Sequence, residues 1–143
     1  MQYTCVETIE APRDRVVALF DDPNNLKAWQ EGLVSFTHVS GEPGTPGATS
    51  EIVYQMGKRR LEMVETIELR DLPGRFVAVY EAKGVWNRNE NVFDDDNGAT
   101  VWTINSEFRC SGFLKVLAWL TPSMFSKQTR KMMRDFRTFV ESA

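Results

Sequence analysis

Two cysteines and one histidine are all that this 143-residue chain holds of the side chains that most often build metal centres and nucleophilic dyads. Cys5 and Cys110 stand in no CxxC or CxxH spacing. They read as small buried hydrophobes of a chain kept in a reducing compartment, not as a disulfide framework. With His38 alone, no histidine-based metal cluster forms, and neither a Ser–His–Asp triad nor a Cys–His dyad has any positional logic. His38 itself, on an early edge strand, reads as a surface or packing residue. Long apolar runs are missing too. The longest, residues 113–120, is interrupted by Lys115 and falls far short of the roughly 20 residues that cross a bilayer. The opening Met1-Gln2-Tyr3-Thr4-Cys5 has neither the basic nor the apolar region of a secretory leader, so a cytoplasmic location is expected. Basic charge is not in excess: 17 basic against 20 acidic side chains leave a net charge of −3. That balance argues against nucleic acid as the main partner, since phosphate binding needs a concentrated basic surface. The glycine-rich stretch from Gly41 to Gly47 lacks the lysine and hydroxyl residue of a phosphate-cradling loop. Asp94-Asp95-Asp96 has no glutamate at the calcium-loop offset and reads as a solvated turn. No metal and no cofactor is expected.

What is present suits a globular chain. Apolar residues make up 42% and charged residues 26%, and a chain this long hides about 70% of its unfolded surface on folding. No repeat or low-complexity linker divides it, so residues 1–143 read as one domain.

Residues 2–10 are rich in β-formers and read as a strand. Ala11-Pro12 opens a helix, because a proline's missing N–H has no partner in the first helical turn. Val16, Val17, Leu19 and Phe20 give that helix an apolar face, and Asp21-Asp22-Pro23 stops it. A second short helix, residues 23–31, carries Leu26 and Trp29 at i, i+3 and ends at Gly32. The period then changes to two. Strands are expected at residues 33–40, 48–57, 60–70, 75–82, 85–93 and 99–110, separated by Gly-, Pro- and Asn-containing turns. Connections this short make neighbours antiparallel. Residues 113–142 return to helical spacing, with Phe125, Thr129, Met132, Met133, Phe136, Phe139 and Val140 on one stripe. Pro122 either kinks one helix or separates residues 113–120 from 123–141.

This order, with Ile9-Glu10-Ala11-Pro12, Val16-Val17, Phe20-Asp21-Asp22, Leu26, Trp29, Gly32-Leu33 and the Gly41-to-Gly47 loop, resembles the START-like or birch-pollen-allergen-like superfamily. Within it the chain is similar to the small bacterial polyketide cyclase/dehydrase-type (SRPBCC) proteins. The resemblance covers essentially the whole chain. It implies an α+β helix-grip fold: a curved seven-stranded antiparallel sheet wrapped around a long C-terminal helix, with two short helices between strands 1 and 2. It also implies a cavity between sheet and helix. Members bind lipids, sterols, polyketides, quinones or plant hormones, and a minority are enzymes. Fold analogy does not choose among these, so the choice falls to the inward-facing residues.

In residues 60–70, Leu61, Met63, Glu65, Ile67 and Leu69 share one face. A four-residue turn, Leu72 to Arg75, places Leu69 opposite Ala78 and Ile67 opposite Tyr80, with Phe76, Ala78, Tyr80 and Ala82 inward. The last hairpin admits two registers. A three-residue turn ending at Gly98 turns Trp102, Ile104, Ser106 and Phe108 inward with Val92, Glu90, Arg88 and Trp86 as partners. A two-residue Asn97-Gly98 turn exposes those four partners instead. The first is preferred because it buries Trp86 in place of a row of asparagines. Glu65, Arg88 and Glu90 then face the interior, joined by Glu7 on the parity of Cys5 and Ile9. They form either a polar anchor, with Arg88 meeting an acidic or carbonyl group, or an internal ion pair.

The expected function is binding or transport of a small hydrophobic or amphipathic ligand of lipid, polyketide or quinone type. Its expected contacts are Met63, Glu65, Tyr80, Trp86, Arg88, Glu90, Trp102, Ile104, Met132 and Phe136. One alternative is a cyclase or aromatase using Glu65, Glu90 or Glu7 as acid or base and Tyr80 or Arg88 on the developing enolate. Another is a protein-interaction module using the C-terminal helix. Residues 113–143 hold six basic side chains and two acidic ones, which reads either as a basic helix lying on an acidic domain or as a peripheral contact with anionic lipid.

Overall fold

A computed structural model describes residues 1–143. The chain runs β1 (Gln2–Ile9), α1 (Arg13–Asp21), a 3-10 turn (Pro23–Asn25), α2 (Leu26–Trp29), β2 (Leu33–Ser40), β3 (Thr49–Met56), β4 (Arg59–Asp71), β5 (Arg75–Ala82), β6 (Val85–Asp96), β7 (Ala99–Cys110), α3 (Phe113–Leu120) and α4 (Met124–Ser142). The seven strands form one antiparallel sheet in the order β1-β7-β6-β5-β4-β3-β2. The helix-grip expectation holds, and Pro122 separates two helices instead of kinking one.

α4, about 28 Å long at 1.5 Å per residue, lies across β1 and buries Met133, Phe136 and Val140. Arg137 pairs with Glu7 of β1, and Glu141 Oε2 accepts from the Glu10 backbone N–H at 2.9 Å. The main core fills the end of the concavity beneath α1 and α2, where Ile9, Val16, Trp29, Phe93, Trp102, Ile104 and Phe136 are buried together. Phe20 sits among their rings, 5.0 Å from Phe93, 5.9 Å from Trp102 and 6.0 Å from Phe136 between centroids. Trp29 is 4.8 Å from Phe136. The two short helices are thereby pinned onto the sheet end by aromatic packing.

Two registers differ from the sequence expectation. The β6–β7 hairpin closes on the two-residue Asn97-Gly98 turn, with Asp96 opposite Ala99. Asn97 and Gly98 take φ of 51° and 91°, the two positive values that a type I′ turn requires and that Asn-Gly supplies. Asn87, Asn89, Asn91 and Phe93 therefore share the concave side with their partners Phe108, Ser106, Ile104 and Trp102. Trp86, Arg88, Glu90 and Val92 stand on the convex side. Burial alone misjudges this register because it counts the asparagines as unsatisfied. Asn91 Oδ1 accepts from Trp102 Nε1 at 3.0 Å, Asn87 Nδ2 donates to Ser106 Oγ at 3.0 Å, and Ser106 Oγ donates to Asn89 Oδ1 at 2.7 Å. A buried amide with partners carries little penalty. Trp86 in turn is covered on its convex face by the Arg109 guanidinium, 4.4 Å from the ring centroid.

In the β4–β5 hairpin, Asp71 pairs with Arg75 across a three-residue turn, and a bulge at Glu68 restores parity. Ile67 then faces Ala78 and Glu65 faces Tyr80, while Leu69 faces Val77 on the convex side. Leu69 is thus not inward, whereas Glu65 and Tyr80 keep their expected side.

Candidate functional site on the concave face

Cross-strand pairing threads one row of side chains over five adjacent strands: Ser50, Glu65, Tyr80, Asn87 and Phe108, each the direct partner of the next. Strand spacing sets successive members about 4.8 Å apart. The neighbouring row runs Ile67, Ala78, Asn89, Ser106 and Tyr3. His38, opposite Ser50 on the edge strand β2, ends the first row and is exposed.

The second row is tied down. Asn87, Asn89 and Ser106 bond one another, and the Tyr3 hydroxyl is 2.7 Å from Thr129 Oγ1 of α4. Of the first row, Asn87 belongs to that network, whereas Ser50, Glu65 and Tyr80 do not. Trp29 Nε1 is the one buried side-chain polar atom that lacks both a partner and contact with open space. The Ser50 hydroxyl bonds no other side chain, and the Glu65 carboxyl and Tyr80 hydroxyl have only each other. Ser50 and Glu65 are buried, at 7% and 9% exposure, and Tyr80 is half-buried. The Tyr80 hydroxyl donates toward the Glu65 carboxyl. Tyr54, on the concave side of β3, reaches over to donate to Gln30 Oε1 at the end of α2.

Burial, opposed only by the Tyr80 hydroxyl, pushes the Glu65 carboxyl up from the ordinary glutamate value. Burial and the neighbouring Glu65 push Tyr80 well above the usual tyrosine range. The same two causes raise Tyr54 to about 12. All three disfavour ionisation, so the group offers neutral O–H donors and carboxyl acceptors to whatever occupies the space beside it.

The structure brings together only some of the expected contacts. Met63, Glu65 and Tyr80 are concave, Met63 and Tyr80 half-buried and Glu65 buried. Trp102, Ile104 and Phe136 are 0%, 1% and 0% exposed within the solid aromatic core, and Met132 packs half-buried against it. Trp86, Arg88 and Glu90 are corrections: all three are on the convex face. Arg88 Nε bonds Glu68 at 2.8 Å, and Glu90 takes Arg75 Nε at 2.6 Å and Asn105 Nδ2 at 2.8 Å. The Asn105 hydrogen bond, with Arg75, holds Glu90 below the usual carboxylate range. Glu7 is inward but is held by Arg137. Ser50, Tyr54, Asn87 and Asn89 were missed. The signal that finds the asparagines is Asn97-Gly98, whose turn type fixes the parity of β6. The open groove between α2 and α4 is spanned by Lys131, which pairs with Glu31 at 2.9 Å and Asp135 at 2.6 Å.

Residues 2–141 match the family described as polyketide cyclase / dehydrase and lipid transport. No curated protein matches the chain in sequence. Among solved structures, TTHA0849 from Thermus thermophilus superposes with a TM-score of 0.81 at 18% identity, over 99% of this chain and 98% of that one. Ara h 8.0201 follows with 0.78 at 10% identity over 100% and 99%. A point mutant of norcoclaurine synthase from Thalictrum flavum, in complex with a transition-state analogue, gives 0.73 at 11% identity over 99% and 94%. At such identities these likenesses establish the shared fold.

Proposed function

We propose a function from one premise: the chain belongs to the polyketide cyclase / dehydrase and lipid transport family. It binds one small, largely apolar molecule in a chamber between the concave sheet and the helices α3 and α4, and holds that molecule's single neutral polar group at Glu65 and Tyr80. The observation that carries this reading is the row Ser50, Glu65 and Tyr80 on the concave face, in which Glu65 and Tyr80 are directed at each other and tied to no other side chain. A buried polar group with its bonding capacity only partly used is costly, so this row marks a place where a guest completes the bonding. No unpaired cation belongs to either concave row, and the carboxyl is held toward its neutral form. The ligand therefore carries a hydroxyl or carbonyl, not a carboxylate.

The test is a pair of titrations with naphthalene and 2-naphthol. Tyr80→Phe and Glu65→Ala should weaken 2-naphthol about tenfold, the worth of one hydrogen bond to a buried polar group, and leave naphthalene nearly unchanged. Absence of saturable binding of either compound, or equal losses for both, overturns it.

Catalysis is a second reading with its own observation. A glutamate raised by burial beside a phenol is an acid–base pair suited to enolising a bound ketone. Deuterium exchange into a β-diketone, accelerated by the protein and abolished by Glu65→Gln, would establish it. Exchange no faster than in buffer leaves binding alone.

A further inference from the structure

α3 wears its apolar face outward. Its sequence, Phe-Leu-Lys-Val-Leu-Ala-Trp-Leu, buries no residue, and Phe113, Val116, Trp119 and Leu120 are 76%, 53%, 79% and 63% exposed. At about 100° per residue these four fall within an arc of about 120°. Leu114, Leu117 and Ala118, on the opposite flank, are the half-buried ones, with Leu114 lying against Gly84. A surface helix normally shows the reverse arrangement. Beside it an open groove of about 570 Å³ is lined by Met1, Phe108, Cys110, Ala118 and Trp119, with Arg109 and Lys115 also on its walls.

Antiparallel pairing gathers further groups at this end of the sheet. The start of β1, the β3–β4 turn, the β5–β6 turn and the end of β7 all lie here. They place Lys58, Arg59, Arg60, Lys83, Arg109 and Lys115 at the same end of the sheet as α3. Arg60 and Arg109 pair with Glu62 and Glu107, while the other four make no ion pair. The opposite end carries Glu42, Asp71 and the Asp94-Asp95-Asp96 hairpin. A chain of net charge −3 is thus polarised along the strand direction, basic at α3 and acidic at the far end.

We propose that this end docks on an anionic lipid surface, with Phe113, Val116, Trp119 and Leu120 entering the headgroup boundary and the lysines and arginines of the same end meeting lipid phosphates. Outward aromatic and aliphatic side chains on a face that also carries clustered cations are the composition of an interfacial helix. Charge complementarity selects the bilayer over a second copy of the chain, because a two-fold contact through α3 would set this cluster of cations against itself. The docking face stands whether or not the concave ligand site does.

The experiment mixes the full chain with vesicles of phosphatidylcholine alone or of phosphatidylcholine with phosphatidylglycerol, and follows sedimentation and tryptophan emission. Wild type should partition onto the anionic vesicles, shift its emission to the blue, and detach as salt rises. Phe113→Ser with Trp119→Ser should lower partitioning at least tenfold with no change in the unfolding midpoint. Lys58→Glu with Lys83→Glu, which leaves α3 intact, should lower it by about fivefold per lysine removed. Equal binding to neutral vesicles, no binding, or variants that partition like wild type overturn the proposal. So does self-association in the absence of lipid that the serine pair abolishes, which would make α3 the contact between two copies.

Discussion

Phe136 of α4 belongs to the aromatic core at one end of the concavity. Its ring is fully buried and lies 4.8 Å from Trp29, 5.1 Å from Trp102 and 6.0 Å from Phe20. Phe136→Ala removes a side chain whose loss from a core costs about 3–5 kcal/mol. The three aromatic contacts place the expected value in the upper part of that range. Against a total stability of about 5–15 kcal/mol this is severe, so Phe136→Leu, at roughly 1–2 kcal/mol, serves as the milder companion. Urea denaturation followed by tryptophan emission reads both, since Trp29 and Trp102 report on this cluster. Under conditions where each variant is folded, naphthalene affinity should stay within about threefold of wild type, because the ring touches core and not guest. The opposite pattern refutes this: Phe136→Leu that melts like wild type yet loses binding would show that the aromatic cluster opens to ligand.

Three other outcomes are expected. Gly98→Ala should destabilise by about 1–2 kcal/mol in the same melts. A Cβ there meets nothing within 4 Å, so the loss is purely that of φ at 91°, and an unchanged melt would contradict the two-residue turn. Arg88→Met should cost under about 1 kcal/mol and leave ligand affinity unchanged. Its pair with Glu68 is on the convex surface with 33% and 47% side-chain exposure, and a larger loss of binding would return Arg88 to the interior. For Glu65, burial raises the folded-state value above the unfolded one, so the folded chain holds that proton more tightly. This contribution is complete below the ordinary glutamate range and is lost as pH rises through the folded value. Glu65→Gln should therefore gain on wild type as pH rises above the ordinary glutamate range in parallel melts, and a wild type that gains instead would reveal a cationic partner for the carboxylate.

The fold was legible because each element carried its own signal. Ala11-Pro12 opened α1, the Gly- and Pro-containing turns cut the strands, and the stripe from Phe125 to Val140 marked α4. These are local choices between two periods, and a strand with one apolar side announces which side is buried. Glu65 could be assigned inward for that reason, since it stands in a row with Met63 and Ile67. Placing it opposite Tyr80 in particular required the bulge at Glu68, which no residue type in β4 announces.

β6 carried no such signal. From Asn87 to Asn91 the chain reads Asn-Arg-Asn-Glu-Asn, so both sides are polar and hydrophobic alternation leaves the register unspecified. The decision falls to the turn, where Asn97-Gly98 supplies two consecutive positive φ angles at low steric cost. Weighing Trp86 against asparagine by burial alone reversed the strand. That comparison omitted what pairing does to an amide: Asn91 meets the Trp102 indole, and Asn87 and Asn89 meet Ser106. The same reversal moved the polar anchor from a cation to a carboxyl and a phenol. A ligand matched to Arg88 would be an anion, whereas one matched to Glu65 and Tyr80 is neutral. The turn type at Asn97 therefore decides which polar side chains line the concave face beside Tyr80.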